Sequence, residues 1–272
     1  MGLESLTAFF QYEFMRNAFL AVLIITPLFG LLGTMIVQKK MAFFSDALGH
    51  SALTGIALGV VFGVRDTNIT MIVFAIVFAL LLNYIGNRVA AFDTIISVFS
   101  SCSVALGLAI LSAGGNFSKY SSLLVGDILS ITRGEILYLL GIFAFTLIFW
   151  CFCFNYLHAA SIHRTLAKGR HIPVKMIENL FAVVMALIVM LSIKWVGILI
   201  INALLILPAA ASRNISENMR EYHFFSLIFS LFSGILGLFI SYYANVATGP
   251  TIVIIASVLY FSTYAYAYKR NV

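Results

Sequence analysis

Asp46 and His50 stand four residues apart in the stretch FSDALGHSALTGIALGVVFG, residues 44–63. The stretch is apolar and long enough to sit in a membrane. On a helix, positions i and i+4 lie one above the other on a single face, so the spacing puts a carboxylate and an imidazole together. Such a pair is an O/N ligand set that suits zinc, manganese or iron(II) better than sodium or potassium. An ionisable side chain at the centre of a membrane helix costs about 2.5–3.5 kcal/mol on insertion scales, so it is expected to face a cavity, a partner or a pore. Two readings stand at this point. Either the two side chains bond each other and hold helices in register, or they ligate a metal ion and further ligands come from elsewhere. Asn202, in the middle of the apolar run GILIINALLILPAA, has the same two readings: an amide bonding across to another helix, or a third ligand.

The segment that carries the pair must be held close to its neighbours. Ala47, Ser51, Gly55, Gly59 and Gly63 put a small residue at every fourth position on the face beside the pair, and small residues at that spacing admit another helix backbone in lipid. Thr54 continues the Asp46–His50 face by one further turn.

Composition sets the class. Of 272 residues 62% are hydrophobic and only 10% charged, which no soluble domain of this size needs. Repeated runs of about 20 apolar residues indicate an all-α, polytopic helical membrane protein. The strict alternation that a β-barrel requires is absent. The whole chain, 1–272, reads as one transmembrane domain. Its first apolar run exceeds a signal-peptide core and has no small-residue cleavage site after it, so it is expected to be retained. Cys102, Cys151 and Cys153 all fall in apolar runs and read as packing residues. No G-x-x-x-x-G-K-[ST] loop is present, so any ATP hydrolysis that drives transport belongs to another polypeptide. No H-E-x-x-H string supports an intramembrane metalloprotease. The net charge of +6 comes with no basic, aromatic-interleaved surface, which argues for membrane topology rather than nucleic acid.

The pattern predicts spans near 17–37, 42–63, 67–87, 91–112, 134–156, 174–193, 195–212, 222–244 and 250–268. The seventh is interrupted by Pro208 and follows Lys194 with almost no loop, so the count is eight or nine. Placing the C-terminus in the cytoplasm puts most lysines and arginines inside, among them Lys39, Lys40, Arg88, Lys168, Arg213, Lys269 and Arg270. Only Arg16, Arg65, Lys119, Arg133 and Lys194 then fall outside. Tyr264, Tyr266 and Tyr268 ahead of Lys269 read as an anchor at the inner lipid interface. The outer connection, 113–132, is glycine-containing and polar, with a short amphipathic end. The inner connection, 157–173, is basic and helix-prone up to Lys168, and it stops at Gly169 and Pro173. His158, His163 and His171 within it do not share a helical face and read as solvated. Asp93 and Asp127 read as caps or interfacial charges.

Three stretches together resemble one family. KKMAFFSDALGHSALTGIALG at 39–59, VGILIINALLILPAAASR at 196–213 and TGPTIVIIAS at 248–257, with GDILSIT at 126–132, are similar to the membrane permeases of bacterial ATP-driven importers for zinc and manganese, the metal ABC-3 family. The resemblance implies an importer permease of the vitamin B12/metal type in the bacterial cytoplasmic membrane. It also implies a homodimer, with two ATP-binding cassette ATPase subunits below and an extracellular or periplasmic metal-binding protein above. It places Asp46 and His50 on the path of a transported Zn²⁺ or Mn²⁺, with no permanently bound cofactor. It makes the segment ending in Leu166, Ala167 and Gly169 a cytoplasmic coupling helix for the ATPase. The chain departs from many relatives in having Thr54 where they have proline, and SIHRTLAKG where they carry acidic residues.

The mechanism implied is alternating access, with Asp46 and His50 as transient, exchangeable ligands; a closed site would trap the ion. A proton-coupled secondary metal carrier is the first alternative, disfavoured because no internal repeat is visible. A siderophore or vitamin B12 importer permease is the second, disfavoured because its large cavity has less reason to carry an acid–imidazole pair.

Overall fold

The computed structural model describes residues 10–86, 92–114, 120, 126–162 and 164–271. Every regular element among them is helical: α1 Glu13–Gln38, α2 Ala42–Val61, α3 Thr67–Gly86, α4 Phe92–Ala113, a 3-10 turn Ile128–Ser130, α5 Arg133–Ile162, α6 Arg164–Gly169, α7 Val174–Val196, α8 Ile198–Ile215, α9 Met219–Ala244 and α10 Thr248–Asn271. Eight of these are long and apolar enough to cross a membrane. The ninth apolar helix, α8, has 18 residues. At 1.5 Å per residue that is about 27 Å, just short of a hydrocarbon core of about 30 Å.

Several helix bounds differ from the sequence expectation, the start of α1 at Glu13 among them. The fifth span does not end at 156: α5 continues to Ile162, because LHAAS contains no glycine or proline to stop it. The sixth runs through Lys194 to Val196, and the break before α8 falls at Gly197, whose φ of 82° is a left-handed value that glycine adopts without strain. Pro208 lies inside α8 without ending it, as Pro27 lies inside α1. Of the two aspartates expected as caps or interfacial charges, Asp127 caps the 3-10 turn and Asp93 lies within the first turn of α4; Asn218 adds a cap to α9. Asp127 accepts the Leu129 amide at 3.2 Å, and Asn218 accepts the Glu221 amide at 3.0 Å.

The chain forms two compact units. The first comprises residues 1–38, 125–148 and 195–272. In it α1 packs on α8 and α9, and α8, α9 and α10 pack on one another. Contact is close because the touching residues are small. A Cβ on Gly33 would overlap the Leu205 carbonyl, one on Gly30 would overlap Ser230, and one on Gly234 would overlap Thr26. Ser226 donates to the Gly30 carbonyl at 2.7 Å, and Tyr222 to the Thr34 carbonyl at 3.1 Å. The outer connection closes here too: Gly126, with φ 73°, lies against the backbone of Val196 and Gly197 so tightly that no side chain fits.

The second unit comprises residues 39–124 and 149–194. In it α2 packs against α3 and α4. Asn83 of α3 hydrogen-bonds Asn179 of α7, and the Lys39 ammonium sits 5.3 Å over the Phe181 ring. The small connecting helix α6 is seated by Ala167, which packs with Ala160 and Val174.

Candidate functional site

The second unit positions Asp46 and His50 through α2. Most of that helix is buried, and its small residues explain how. A Cβ on Gly55 would stand 2.6 Å from the Met71 Cα, and one on Gly59 would overlap the Thr70 hydroxyl, so both glycines lie against α3. Ala47 and Ser51 of the same stripe are fully buried, with the Ser51 hydroxyl turned to the Leu48 carbonyl at 2.7 Å. Gly63 departs from the expected packing role. The helix ends at Val61, Gly63 has φ 63°, and a Cβ there would meet nothing within 4 Å. It turns the chain out of the helix instead of admitting a neighbour.

The pair itself is half-exposed. His50 Nε2 lies 3.5 Å from Asp46 Oδ1, and the two side chains are 29% and 45% accessible. That distance is too long for a strong hydrogen bond. Two ligand atoms 2.0–2.2 Å from one zinc ion at a near-tetrahedral angle would lie roughly 3.4 Å apart. The observed separation is of that size, and both side chains are accessible. His50 Nδ1 is buried without a hydrogen-bond partner among the described groups. Among the described residues no protein acceptor holds Nδ1 as one would in a closed structural site.

Asn202 is buried on α8 and belongs to the first unit, whereas Asp46 and His50 belong to the second. Among the described residues no cluster of three or more His, Cys, Asp or Glu side chains could hold a metal. His158 stacks on Phe154, His171 sits in the turn after α6 with φ 57°, and His163 lies outside the described residues, as do Arg88 and Lys119. Cys102 and Cys151 are exposed, not packed in the interior as expected, and Cys153 is partly buried.

The three residues expected to contact an ATPase divide. Leu166 is 67% exposed. Ala167 is buried against Ala160 and Val174, so it anchors α6 to its own chain and presents no surface. Gly169 closes α6 but not as the left-handed turn residue; His171 takes that conformation, and the Ile172 amide reaches back to the Ala167 carbonyl at 3.1 Å.

Sequence reasoning did not find what Thr54, one turn beyond His50 on the same face of α2, is packed against. Thr54, buried, donates its hydroxyl to the Ser103 carbonyl of α4 and lies 2.8 Å from the Ser103 hydroxyl. A Cβ on Gly107 would stand 2.8 Å from the Thr54 nitrogen. The run SSCSVALG in α4, with a serine and a glycine four residues apart, carries the signal for that contact.

The fold and this site define a polytopic helical membrane protein with a carboxylate–imidazole pair on a tightly packed helix. The ABC 3 transport family matches residues 11–267, and the chain belongs to that family. It is a transmembrane transport subunit, not an enzyme; ATP is hydrolysed on a separate ATPase. The chain is 28% identical over 262 residues to the manganese import system permease protein ScaB of Streptococcus parasanguinis, covering 96% of this chain and 93% of that one. It is 30% identical over 256 residues to the high-affinity zinc uptake system membrane protein ZnuB of Haemophilus influenzae, covering 92% and 96%. Among solved structures it is similar to PsaBC from Streptococcus pneumoniae in complex with a Fab, with a TM-score of 0.84, 29% identity and coverage of 97% and 95%. A chain of a metal-chelate type ABC transporter in an inward-facing conformation matches in fold, with a TM-score of 0.69 and 12% identity.

Proposed function

We propose that this chain is the permease subunit of an ATP-driven importer that carries a divalent transition metal, zinc or manganese, across the cytoplasmic membrane by alternating access. The observation that carries the reading is the Asp46–His50 pair, spaced for a metal ion on a helix that belongs to a transport family. Relatives on both the manganese and the zinc side support the substrate class. The ion is cargo: the carboxylate and imidazole take it transiently, and half-exposure lets it exchange. Two copies of the chain form the path, two ATP-binding cassette subunits bind below, and an extracellular metal-binding protein delivers the ion. The C-terminus lies in the cytoplasm, as the lysine and arginine distribution supports.

Residues 157–173 carry the coupling to the ATPase, with exposed Leu166 as the contact and Ala167 as its internal anchor. Leu166→Asp puts a charge into that contact. The variant is expected to insert normally, lose co-purifying ATPase and lose uptake of both radioactive zinc and manganese. An intact, active complex in the variant would make 157–173 a plain connection. Uptake by the purified chain without any ATPase, driven by a proton gradient, would favour the secondary carrier instead.

A further inference from the structure

Thr54, His50 and Asp46 form one stripe on α2 at successive steps of four residues. Each step turns the side chain about 40° further round the helix. Thr54 is buried against α4, the His50 side chain is 29% exposed and the Asp46 side chain 45%. The stripe thus begins locked in an interface and fans out of it, one turn at a time, toward the accessible pair.

The lock is specific. The Thr54 hydroxyl reaches both the carbonyl and the hydroxyl of Ser103. Most of the other serines and threonines of the helices turn their hydroxyls back to a carbonyl of their own helix, as Ser51, Thr70, Thr146 and Ser257 do. Thr54 instead spends its donor across the helix boundary. One turn along α4, Gly107 brings that backbone against Leu53 and Thr54, with room for no side chain. A hydrogen bond and a backbone contact at adjacent turns fix both the rotation and the height of α2. Rotation of α2 is what aims the pair.

We infer that Thr54, with Ser103 and Gly107, is a positioning device that sets the geometry of the Asp46–His50 pair and thereby the choice among divalent metals. Zinc takes a few short bonds in tetrahedral geometry, while manganese accepts more ligands and prefers oxygen. A small rotation of α2 changes the mutual angle and access of the carboxylate and the imidazole, so it changes the two metals unequally. This rests on the metal-transport reading above.

The test uses the complete complex of permease, ATPase and delivery protein in proteoliposomes, with initial uptake of radioactive zinc and manganese measured side by side. Thr54→Val keeps the shape and removes the hydroxyl. It is expected to change the zinc-to-manganese uptake ratio roughly three- to fifteenfold, the size of one cross-helix hydrogen bond in lipid. Thr54→Ser, which restores the donor, is expected to return the ratio to that of the parent. Merely structural damage lowers both metals in proportion and leaves the ratio alone, and that outcome overturns the inference. Ser103→Ala, which keeps the carbonyl acceptor, gives a smaller change in the same direction and serves if Thr54→Val fails to fold. Asp46→Asn/His50→Gln is run in the same assay. Unimpaired uptake in that double variant would sink the metal-pair reading itself. Its loss together with an unchanged ratio in Thr54→Val would sink only the positioning role.

Discussion

Helices α2 and α9 solve the same packing problem with the same kind of residue. In α2, Ser51, Gly55 and Gly59 recur at every fourth position, and the two glycines admit α3. In α9, Ser226, Ser230 and Gly234 recur at the same spacing, and α1 approaches until Ser226 bonds the Gly30 carbonyl. Each also carries an acid and an imidazole, but in α9 Glu221 and His223 are two residues apart and bond the helix start, Glu221 to Asn218 and His223 to the Met219 carbonyl, whereas in α2 Asp46 and His50 share one face. Close packing in lipid therefore needs no such shared face. What distinguishes α2 is an acid and an imidazole on one half-exposed face, and that placement is where the proposed metal-binding role starts.

The comparison breaks most severely if bulk is placed on the small faces. Gly59→Leu drives a side chain into Thr70 and Thr67, and Gly234→Leu into Thr26 and Val22. Overpacking costs about 1–3 kcal/mol and sometimes more. Both variants are expected to lose most of their monodisperse protein on size-exclusion chromatography in detergent. Tolerance at Gly59 alone would show that its face meets lipid and that the likeness of the two helices is superficial.

A gentler change sharpens it. Ser226→Ala removes one cross-helix hydrogen bond from α9, worth about 0.6 kcal/mol in lipid. Thermal unfolding is expected to fall slightly, and metal uptake per folded molecule to stay unchanged. A selective loss of uptake would give α9 a role in the path that its residue types do not suggest.

The smallest effect belongs to the far end of the first unit. Glu217, exposed between α8 and α9, pairs with Arg270 near the end of α10, and the guanidinium holds its carboxyl below the ordinary carboxylate range. A carboxyl with a lowered folded-state pKa contributes only above its unfolded value and loses that contribution as pH falls through the lowered one. Attachment of the end of α10 is thus expected to persist at neutral pH and loosen only in acid. Amide exchange at 265–270 should rise there, and Glu217→Gln should show the same rise at neutral pH. Transport should not change in either case, since exposed pairs contribute little.

The helical plan was legible because apolar runs, lysine-rich ends and capping residues act locally. Spans near 42–63 and 67–87 appear as α2 and α3 within two residues. The α5 overrun to Ile162 was legible in part: 157–168 read as helix-prone, but its polar composition read as a surface connection separate from the span. Asp46 and His50 were legible as a pair from spacing alone. Gly63 was misassigned because the every-fourth-residue rule was carried past the end of the helix. The side that Ala167 turns to its own chain was not legible, because it depends on how α6 folds back on Ala160 and Val174. The stripe in α9 obeys the rule that exposed the stripe in α2; it drew no notice because no charged residue stands beside it. Thr54 bonds Ser103, 49 residues away; the serine and glycine of SSCSVALG mark a close-packing face on α4, but nothing local says which helix meets it.

The central claim is that the face of α2 that carries Asp46 and His50 carries the ion. Asp46→Asn keeps the shape and removes the charge; His50→Gln keeps a polar group and removes the ring nitrogen. The direct measurement is ATP-driven uptake of zinc and manganese by the double variant, reconstituted with its ATPase and delivery protein and normalised to folded complex. The expected result is a complex that assembles normally, hydrolyses ATP and moves neither metal at more than a small fraction of the parent rate. Near-parental uptake by a well-folded double variant would contradict the account and return the pair to a structural role.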